Sequence, residues 1–248
     1  KIKTGLNATY DAYKETVNSK FYSRNEQSIG GFFEYSYDNL EALNLTVGFR
    51  VDRHNLLGTF ATPRVHARYT PWDKSAFRVS FGRGKRAANI FTENQKMFVT
   101  SRKINIQNTG GSIYGLDPEI AWNYGVSFLQ GFNLFGRKAD IALDFYRTDF
   151  QNQVVVDYEN PYEVNFYNLE GSSFANSFQA EFSLNILKGM DFKTAYKFYD
   201  VKTQYNSGKL NKPLTSQQRV FGNLSFETPK TEIGGVWKFD TTFNWFGK

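Results

Sequence analysis

His54 and His66 are the only histidines in the chain, and cysteine is absent. Disulfides, thiolate zinc sites and cysteine nucleophiles are therefore excluded together. As a metal pair the histidines lack a third ligand in sequence, one falling in an expected loop and the other mid-strand, so ordinary polar contacts are expected of them. The carboxylates are scattered, with no pair placed for hydrolysis. There is no supported Ser/His/Asp arrangement, phosphate loop or dinucleotide fingerprint, and Gly82-Arg83-Gly84-Lys85 has the wrong spacing for a phosphate loop. Neither catalysis, a metal centre nor a resident cofactor is expected. Binding chemistry is plentiful instead. Arg50, Arg64, Arg68, Arg78, Arg83, Arg86 and Arg219, with Asp52, Asp144, Glu181 and Asp240, are assigned to polar strand faces. They could form an electropositive path for anionic ligands, or a wall of salt bridges and hydrogen bonds facing a hydrated interior.

Those side chains need a scaffold, and period-2 alternation supplies one from end to end. Leu43, Leu45, Val47, Phe49 and Val51 oppose Asn44, Thr46, Arg50 and Asp52. Ile120, Trp122, Tyr124, Val126 and Phe128 oppose Asn123, Gly125 and Ser127, and Phe178, Ala180, Phe182, Leu184 and Ile186 oppose Gln179, Glu181, Ser183 and Asn185. The pattern predicts roughly eleven strands, with charge missing from the centres of their apolar faces. Aromatics make up 18% of the residues, a surplus that could fill an all-β core or face lipid and form interfacial girdles. No apolar run reaches the ~18 residues of a transmembrane helix. A spanning strand needs apolar residues only at alternate positions, so the membrane stays open.

The connections separate a sandwich from a barrel. Short links are expected near Asp38–Glu41, Pro71–Lys74, Gly131–Arg137, Lys188–Gly189 and Thr228–Gly235, and longer ones near Thr16–Gln27, Arg53–Thr62, Gly84–Pro118, Gln151–Ala175 and Thr203–Ser216. Short and long alternate, as tight periplasmic turns and long extracellular loops do in transmembrane barrels. A Greek-key sandwich has no reason to collect its long loops at one end. The expected fold is an all-β, antiparallel, up-and-down transmembrane β-barrel. Single-chain bacterial barrels have an even number of strands, and lipid does not tolerate open sheet edges. An odd count therefore predicts a partial barrel: a single domain over residues 1–248 with strands missing and no signal peptide at its start. The net charge of +6 is spread without a cluster, which argues against nucleic acid. Outer-membrane lipid is the partner expected of the apolar faces.

Several stretches, taken in order, resemble TonB-dependent outer-membrane receptors, with the flavour of Bacteroidetes receptors of that class. Gly48-Phe49-Arg50-Val51-Asp52 followed by Pro63-Arg64 is similar to a strand pair common there, and Ser80 to Asn89 to the segment that precedes a long extracellular loop. Asp117-Pro118-Glu119-Ile120-Ala121-Trp122-Asn123-Tyr124 resembles the family's Pro-Glu…Asn-Tyr entry into a barrel strand, and Asp144 to Gln153 the strand after it. Tyr167-Asn168-Leu169 to Glu181 resembles the next, although the family often has Gly where Phe178 stands. The resemblance covers nearly the whole chain. It implies the middle-to-late part of a barrel of about 22 strands, whose N-terminal plug is missing here. It also implies import of a scarce nutrient with energy delivered by TonB through that plug. Iron chelates, corrinoids, glycans and peptides are all compatible, because loop chemistry varies independently of the barrel. A plug-less porin or other barrel, and a soluble all-β binding module, are the alternatives.

Ligand contacts are expected in the two longest loops and on the adjoining wall. Gly84–Pro118 mixes Phe91, Met97 and Phe98 with Lys85, Arg86, Lys96, Arg102 and Lys103, and Gln151–Ala175 carries Tyr158, Tyr162, Phe166 and Tyr167. Long ordered loops are usually functional. The candidates are Arg83, Lys85, Arg86, Phe91, Lys96, Tyr158, Tyr162 and Tyr167, with Arg64 and Arg68 on the wall. The alternative is loops packed on one another to shield the barrel rim.

Overall fold

The alternating segments pair into one antiparallel sheet, each of its strands beside the next. A computed structural model of the chain describes residues 1–17, 19–39, 42–211, 216–229 and 234–247. Its elements are β1 (Ile2–Val17), β2 (Lys20–Asp38), β3 (Leu43–His54), β4 (Gly58–Tyr69), β5 (Ser75–Arg86), β6 (Lys103–Ile106), β7 (Glu119–Leu134) and β8 (Arg137–Asn152). They continue as β9 (Val154–Asp157), β10 (Glu163–Asn168), β11 (Ser173–Leu187), β12 (Met190–Tyr205), β13 (Gly208–Asn211), β14 (Gln218–Glu227) and β15 (Lys238–Gly247). β6, β10 and β9 form a separate small sheet, and all the others belong to the large one. No helix among the described residues is long and apolar enough to cross a membrane.

Strand register sorts the two faces. Tyr37, Leu45, Ala67, Val79, Val126, Phe145, Phe178 and Phe198 are paired in turn from β2 to β12, an unbroken apolar row. One residue away on the opposite face, Asp38, Asn44, Arg68, Arg78, Ser127, Asp144, Gln179, Lys197 and Arg219 are paired in turn, all polar. A slip of one residue would carry charge into the apolar row, so the pattern fixes the register. The apolar side chains stand open, Phe145 at 44% and Phe49 at 50% exposure. A sandwich would cover them with a second sheet; lipid is the solvent they fit.

The apolar band slants across the strands. Its border towards the long connections runs from Ile29 and Val51 through Phe81 and Phe145 to Val220, beyond which stand Gln27, Arg53, Arg83, Arg147 and Gln218. Relative to the paired rows this is a slip of about one residue per strand, which at β-sheet spacings gives a tilt of about 35–40°. That is the tilt of a closed barrel wall.

The expected order of connections changes in three places. Thr16–Gln27 and Arg53–Thr62 are not long loops: β1 and β2 stay paired up to Val17 and Lys20, and β3 and β4 up to His54 and Gly58. Polar and apolar residues mix on both faces there, so the hydrophobic period fades while the backbone ladder continues. The link near Thr228–Gly235 runs from Glu227 to Lys238 and is not tight, and its residues 230–233 lie outside the described residues, as do 40–41 and 212–215 of other links. The remaining short turns hold. Leu134 to Arg137 turn through Phe135 (φ +49) and Gly136 (φ +72), and Leu187 to Met190 through Gly189 (φ +81), the positive angles that tight hairpins require.

Candidate functional site

The connections 87–118 and 153–172 fold into one body. β10 lies between β6 of the first connection, to which it is parallel, and β9 of its own. Ala88, Ile90, Phe91, Leu116, Val154, Val164 and Phe166 make its core, and Phe98 stacks on Phe166 at 5.8 Å. The most buried large side chains of the described residues, Phe166, Ile90, Val155 and Val164, all lie in this cap. Phe91 at 6% and Tyr167 at 4% exposure are core residues of the cap. Phe91 packs against the other connection, and Tyr167 against Val155 of its own connection and Tyr205 of β12.

The tip of the β1–β2 hairpin is clamped to the cap. Tyr22 meets Phe91 at 4.8 Å and Tyr114 at 5.7 Å. The Arg24 guanidinium lies over the rings of Tyr13 at 4.0 Å and Tyr114 at 4.8 Å. It donates to Glu26 at 2.7 Å, to Glu15 at 3.0 Å, to the Tyr114 hydroxyl and to Asn89. Tyr114 opens a turn from Ile113 to Leu116 with φ +56, followed by Gly115 at φ +83. A tyrosine is a poor residue for that backbone region, and the hydroxyl's bond to Glu15 together with Arg24 holds it there. Burial, then the Glu15 bond, pushes the phenol above the ordinary tyrosine range, with Arg24 opposing. His54 has a structural part here: its Nδ1 accepts the amides of Leu56 and Leu57, and Nε2 lies 3.6 Å from Glu26. No group of three or more His, Asp or Glu among the described residues could hold a metal.

On the polar face many charges are already committed. Arg50 binds Asp52 through Nε and Nη2 at 2.6 and 2.7 Å, Glu34 takes Lys3 at 2.9 Å and also Arg64, and Lys193 pairs with Glu181 at 3.0 Å. At the rim Arg86 donates to Glu119 at 2.8 Å and to Glu93 at 2.9 Å. Arg68, Arg78, Lys197 and Arg219 of the polar row make no ion pair with the described residues. Arg83 and Lys85 are not on this face. They continue the row of Phe77, Val79 and Phe81, where Arg83 lies 5.9 Å from the Trp122 ring and donates to the Ala61 carbonyl at 3.1 Å. Lys85 donates to the Leu57 carbonyl at 2.7 Å. Both cations ride just past the apolar band, with their stems along it. The parity of the strand already placed them there.

Between cap and wall lies a cleft of about 530 Å³, bordered by Lys96 and Tyr158 from the cap and by Phe150, Tyr199, Tyr205 and Arg219 from the wall. Two buried side-chain polar atoms among the described residues have no hydrogen-bond partner, Gln153 Oε1 and Arg219 Nε, and both residues line this cleft. Each such atom costs about 1–3 kcal/mol while it stays dry. Arg219 is held 5.4 Å from the rings of both Tyr199 and Phe246, and burial pushes the Tyr158 phenol up. Of the expected contacts, Lys96 and Tyr158 thus meet at one site. Tyr162 stands at the cap tip, 79% exposed, and Arg64 and Arg68 lie elsewhere on the wall. Gln153, Tyr199 and Tyr205 were not expected, and only the polar row that carries Arg219 gave any signal of the place.

A sheet apolar outside, polar inside and roofed at one end by ordered loops defines the wall of an outer-membrane β-barrel. The chain belongs to the TonB-dependent receptor-like β-barrel family, which matches residues 3–248. It is similar in fold to a mutant of the ferric enterobactin receptor PfeA of Pseudomonas aeruginosa, with 12% identity and a TM-score of 0.67 over 99% of this chain and 38% of that one. The siderophore receptor PirA of the same organism shows 13% identity and a TM-score of 0.59 over 98% of this chain and 46% of that one. P. aeruginosa FpvA, bound to a heterologous pyoverdine, shows 16% and 0.57 over 91% and 32%. The chain spans less than half the length of these receptors. No curated protein sequence matches it. Receptors of this family are outer-membrane transport proteins that work with TonB, and the chain is an outer-membrane protein.

Proposed function

We propose that the chain supplies part of the wall and the ligand-gathering roof of a receptor for active import of an anionic iron chelate. The observation that carries this reading is the cap over the polar face, enclosing a cleft to which Lys96 and Arg219 bring cations that make no ion pair with the described residues. Such a surface concentrates anions. The named ligands of the structural neighbours agree with an iron chelate, although at 12–16% identity those neighbours bear on fold alone. The end with the cap faces outward and the tight turns face the periplasm. Strands elsewhere in the receptor complete the barrel, and a plug domain passes on the work of TonB. Transport then needs no covalent chemistry and no resident cofactor.

The test is uptake of radiolabelled ferric chelates, anionic and neutral, by cells that carry or lack the gene, with and without TonB. Uptake of an anionic chelate that needs both the gene and TonB is expected. Uptake of a corrinoid, glycan or peptide in its place would overturn the ligand assignment. A steady conductance of the full-length protein in a planar bilayer would favour an open porin, since a plugged receptor is closed at rest.

A further inference from the structure

We infer that the outward border of the lipid face holds the phosphate of a lipid headgroup where β4 and β5 part, and that Arg53 and Arg83 bind it. The β4–β5 ladder ends at Arg64 and Gly82, whereas β3 and β4 stay paired to His54 and Gly58, and β5 and β7 to Arg86 and Glu119. Pro63 is the cause. Residues two apart on a strand turn their backbone groups to the same neighbour, and the Ala61 carbonyl faces β5, where it accepts from Arg83. Pro63 therefore faces β5 too, and it has no N–H to carry the ladder on. Side chains take the place of backbone bonds: Arg83 donates to the Ala61 carbonyl at 3.1 Å and Lys85 to the Leu57 carbonyl at 2.7 Å. Lys85 turns into the gap, its ammonium 5.2 Å from the Phe60 ring. Arg83 stays on the lipid side, 5.9 Å from the Trp122 ring, and its remaining N–H groups donate to no described residue.

Charge on this border is unevenly matched. On β8 and β12 its cations have carboxylates of their own, Arg147 pairing with Asp149 at 2.6 Å and Lys202 with Asp200 at 3.8 Å. Arg53 and Arg83 have none among the described residues. Arg53 is exposed and is paired with Thr59, the next residue to Ala61 on that face of β4. The two arginines thus flank one strand, displaced along it by about 7 Å, which their long side chains can close. Next to them Phe81, stacked on Trp122 at 4.9 Å and meeting Tyr124 at 5.4 Å, forms an aromatic ledge where the apolar band ends. Such girdles mark the membrane–water interface. What meets the wall just beyond that ledge is the headgroup layer, whose anionic members attract basic residues placed there. Two guanidiniums with planar sets of donors suit the oxygens of a phosphate.

The experiment is native mass spectrometry of the full-length receptor in detergent, titrated with phosphatidic acid, with diacylglycerol of the same chains and with inorganic phosphate. Phosphatidic acid should be retained, and the other two, which carry only its chains or only its charge, should not. Arg53→Gln and Arg83→Gln should each weaken retention about fivefold. Arg147→Gln, whose cation already has Asp149, should leave it within about twofold. Glutamine at 83 can still donate to the Ala61 carbonyl, and Arg53 has no partner to lose among the described residues, so the thermal midpoint should hold in both variants. Arg53→Gln decides the matter if Arg83→Gln loosens the gap. Phosphatidic acid held no better than diacylglycerol, unchanged retention by Arg53→Gln, or an equal loss in Arg147→Gln would each overturn the site. Inorganic phosphate bound as tightly as the lipid would make it a site for a free anion and overturn the lipid as its occupant. The import reading concerns the opposite face of the wall and survives any of these outcomes.

Discussion

Arg64 reaches Glu34 by passing over Gly48, the residue that separates the two on the intervening strand. A Cβ at position 48 would stand 2.8 Å from Arg64 Nε and 2.9 Å from its Cγ, so the missing side chain is the groove in which the arginine lies. Lys3 binds the same carboxylate from the other side at 2.9 Å. One carboxylate therefore ties β1, β2 and β4 together across a glycine of β3.

Gly48→Val should displace Arg64 from Glu34 and destabilise this part of the wall by about 1–3 kcal/mol, the usual cost of overpacking. Gly222→Ala is the matched control, because its added Cβ meets nothing within 4 Å. Urea unfolding of the full-length receptor in detergent checks both, and equal midpoints for the two variants would contradict the groove.

Phe166 is fully buried in the cap, between the two long connections. Phe166→Ala should cost about 3–5 kcal/mol of local stability and release β6 from β10. Hydrogen exchange should quicken in β6, β9 and β10 and stay slow in the wall strands. Uniform quickening would mean that cap and wall unfold together.

The wall was legible in the sequence and the cap was not. Alternation marks a strand wherever one face meets lipid, which is why the row from Tyr37 to Phe198 was in plain view. It failed over Thr16–Gln27 and Arg53–Thr62 because past the apolar band each face mixes polar and apolar residues. Arg83 was readable by parity from Phe81 and was assigned to the wrong face by its charge, and Lys85 was read into the loop although the strand runs on to Arg86. The cap gave little local signal. β6 and β9 are four residues long, and the pairing of Lys103–Ile106 with Glu163–Phe166 joins segments about sixty positions apart. Nothing local distinguishes a Phe91 that packs against a distant loop, or a Tyr167 that packs against Val155 and Tyr205, from an aromatic that meets a ligand. Gln153 became significant only once the cleft beside it was known.

Arg24 holds the β1–β2 hairpin to the cap with its side chain at 10% exposure. Arg24→Met should leave Glu15 and Glu26 without their cation and cost about 3 kcal/mol, freeing the hairpin tip for proteolysis. Changing both glutamates to glutamine in the same variant should recover part of the loss. No recovery would mean that the rings of Tyr13 and Tyr114, and not the charges, make the clamp.

The Tyr114 phenol gives this clamp a pH dependence. Its folded value is raised above the unfolded one, by burial and then by donation to Glu15. A group raised on folding stabilises fully below its unfolded value, about 10 for tyrosine, and loses that contribution as pH rises through the folded value. The hairpin contact should therefore survive at neutral pH and weaken only in strong alkali. Tyrosinate absorbance and protease clipping of the tip should change together, and Tyr114→Phe should remove that component of the titration. A clipping transition near neutral pH would assign the switch to another group.

The sorting of the two faces predicts an asymmetry between neighbours on the sheet. Phe145 is in the apolar row, paired with Val126 and Phe178, and Asn123 is on the polar face, paired with Gly82 and Thr148; both side chains are exposed. An arginine at 145 would stand in hydrocarbon, where barrels lose about 2–4 kcal/mol at the midplane. An arginine at 123 would stand in water with Gly82 opposite it. Phe145→Arg should reduce the heat-resistant folded fraction in outer-membrane preparations, and Asn123→Arg should leave it near wild type. Neither position is crowded, so crowding alone would affect them alike. Equal losses would mean that lipid does not cover the apolar row, and the assignment of that face to the membrane would fall.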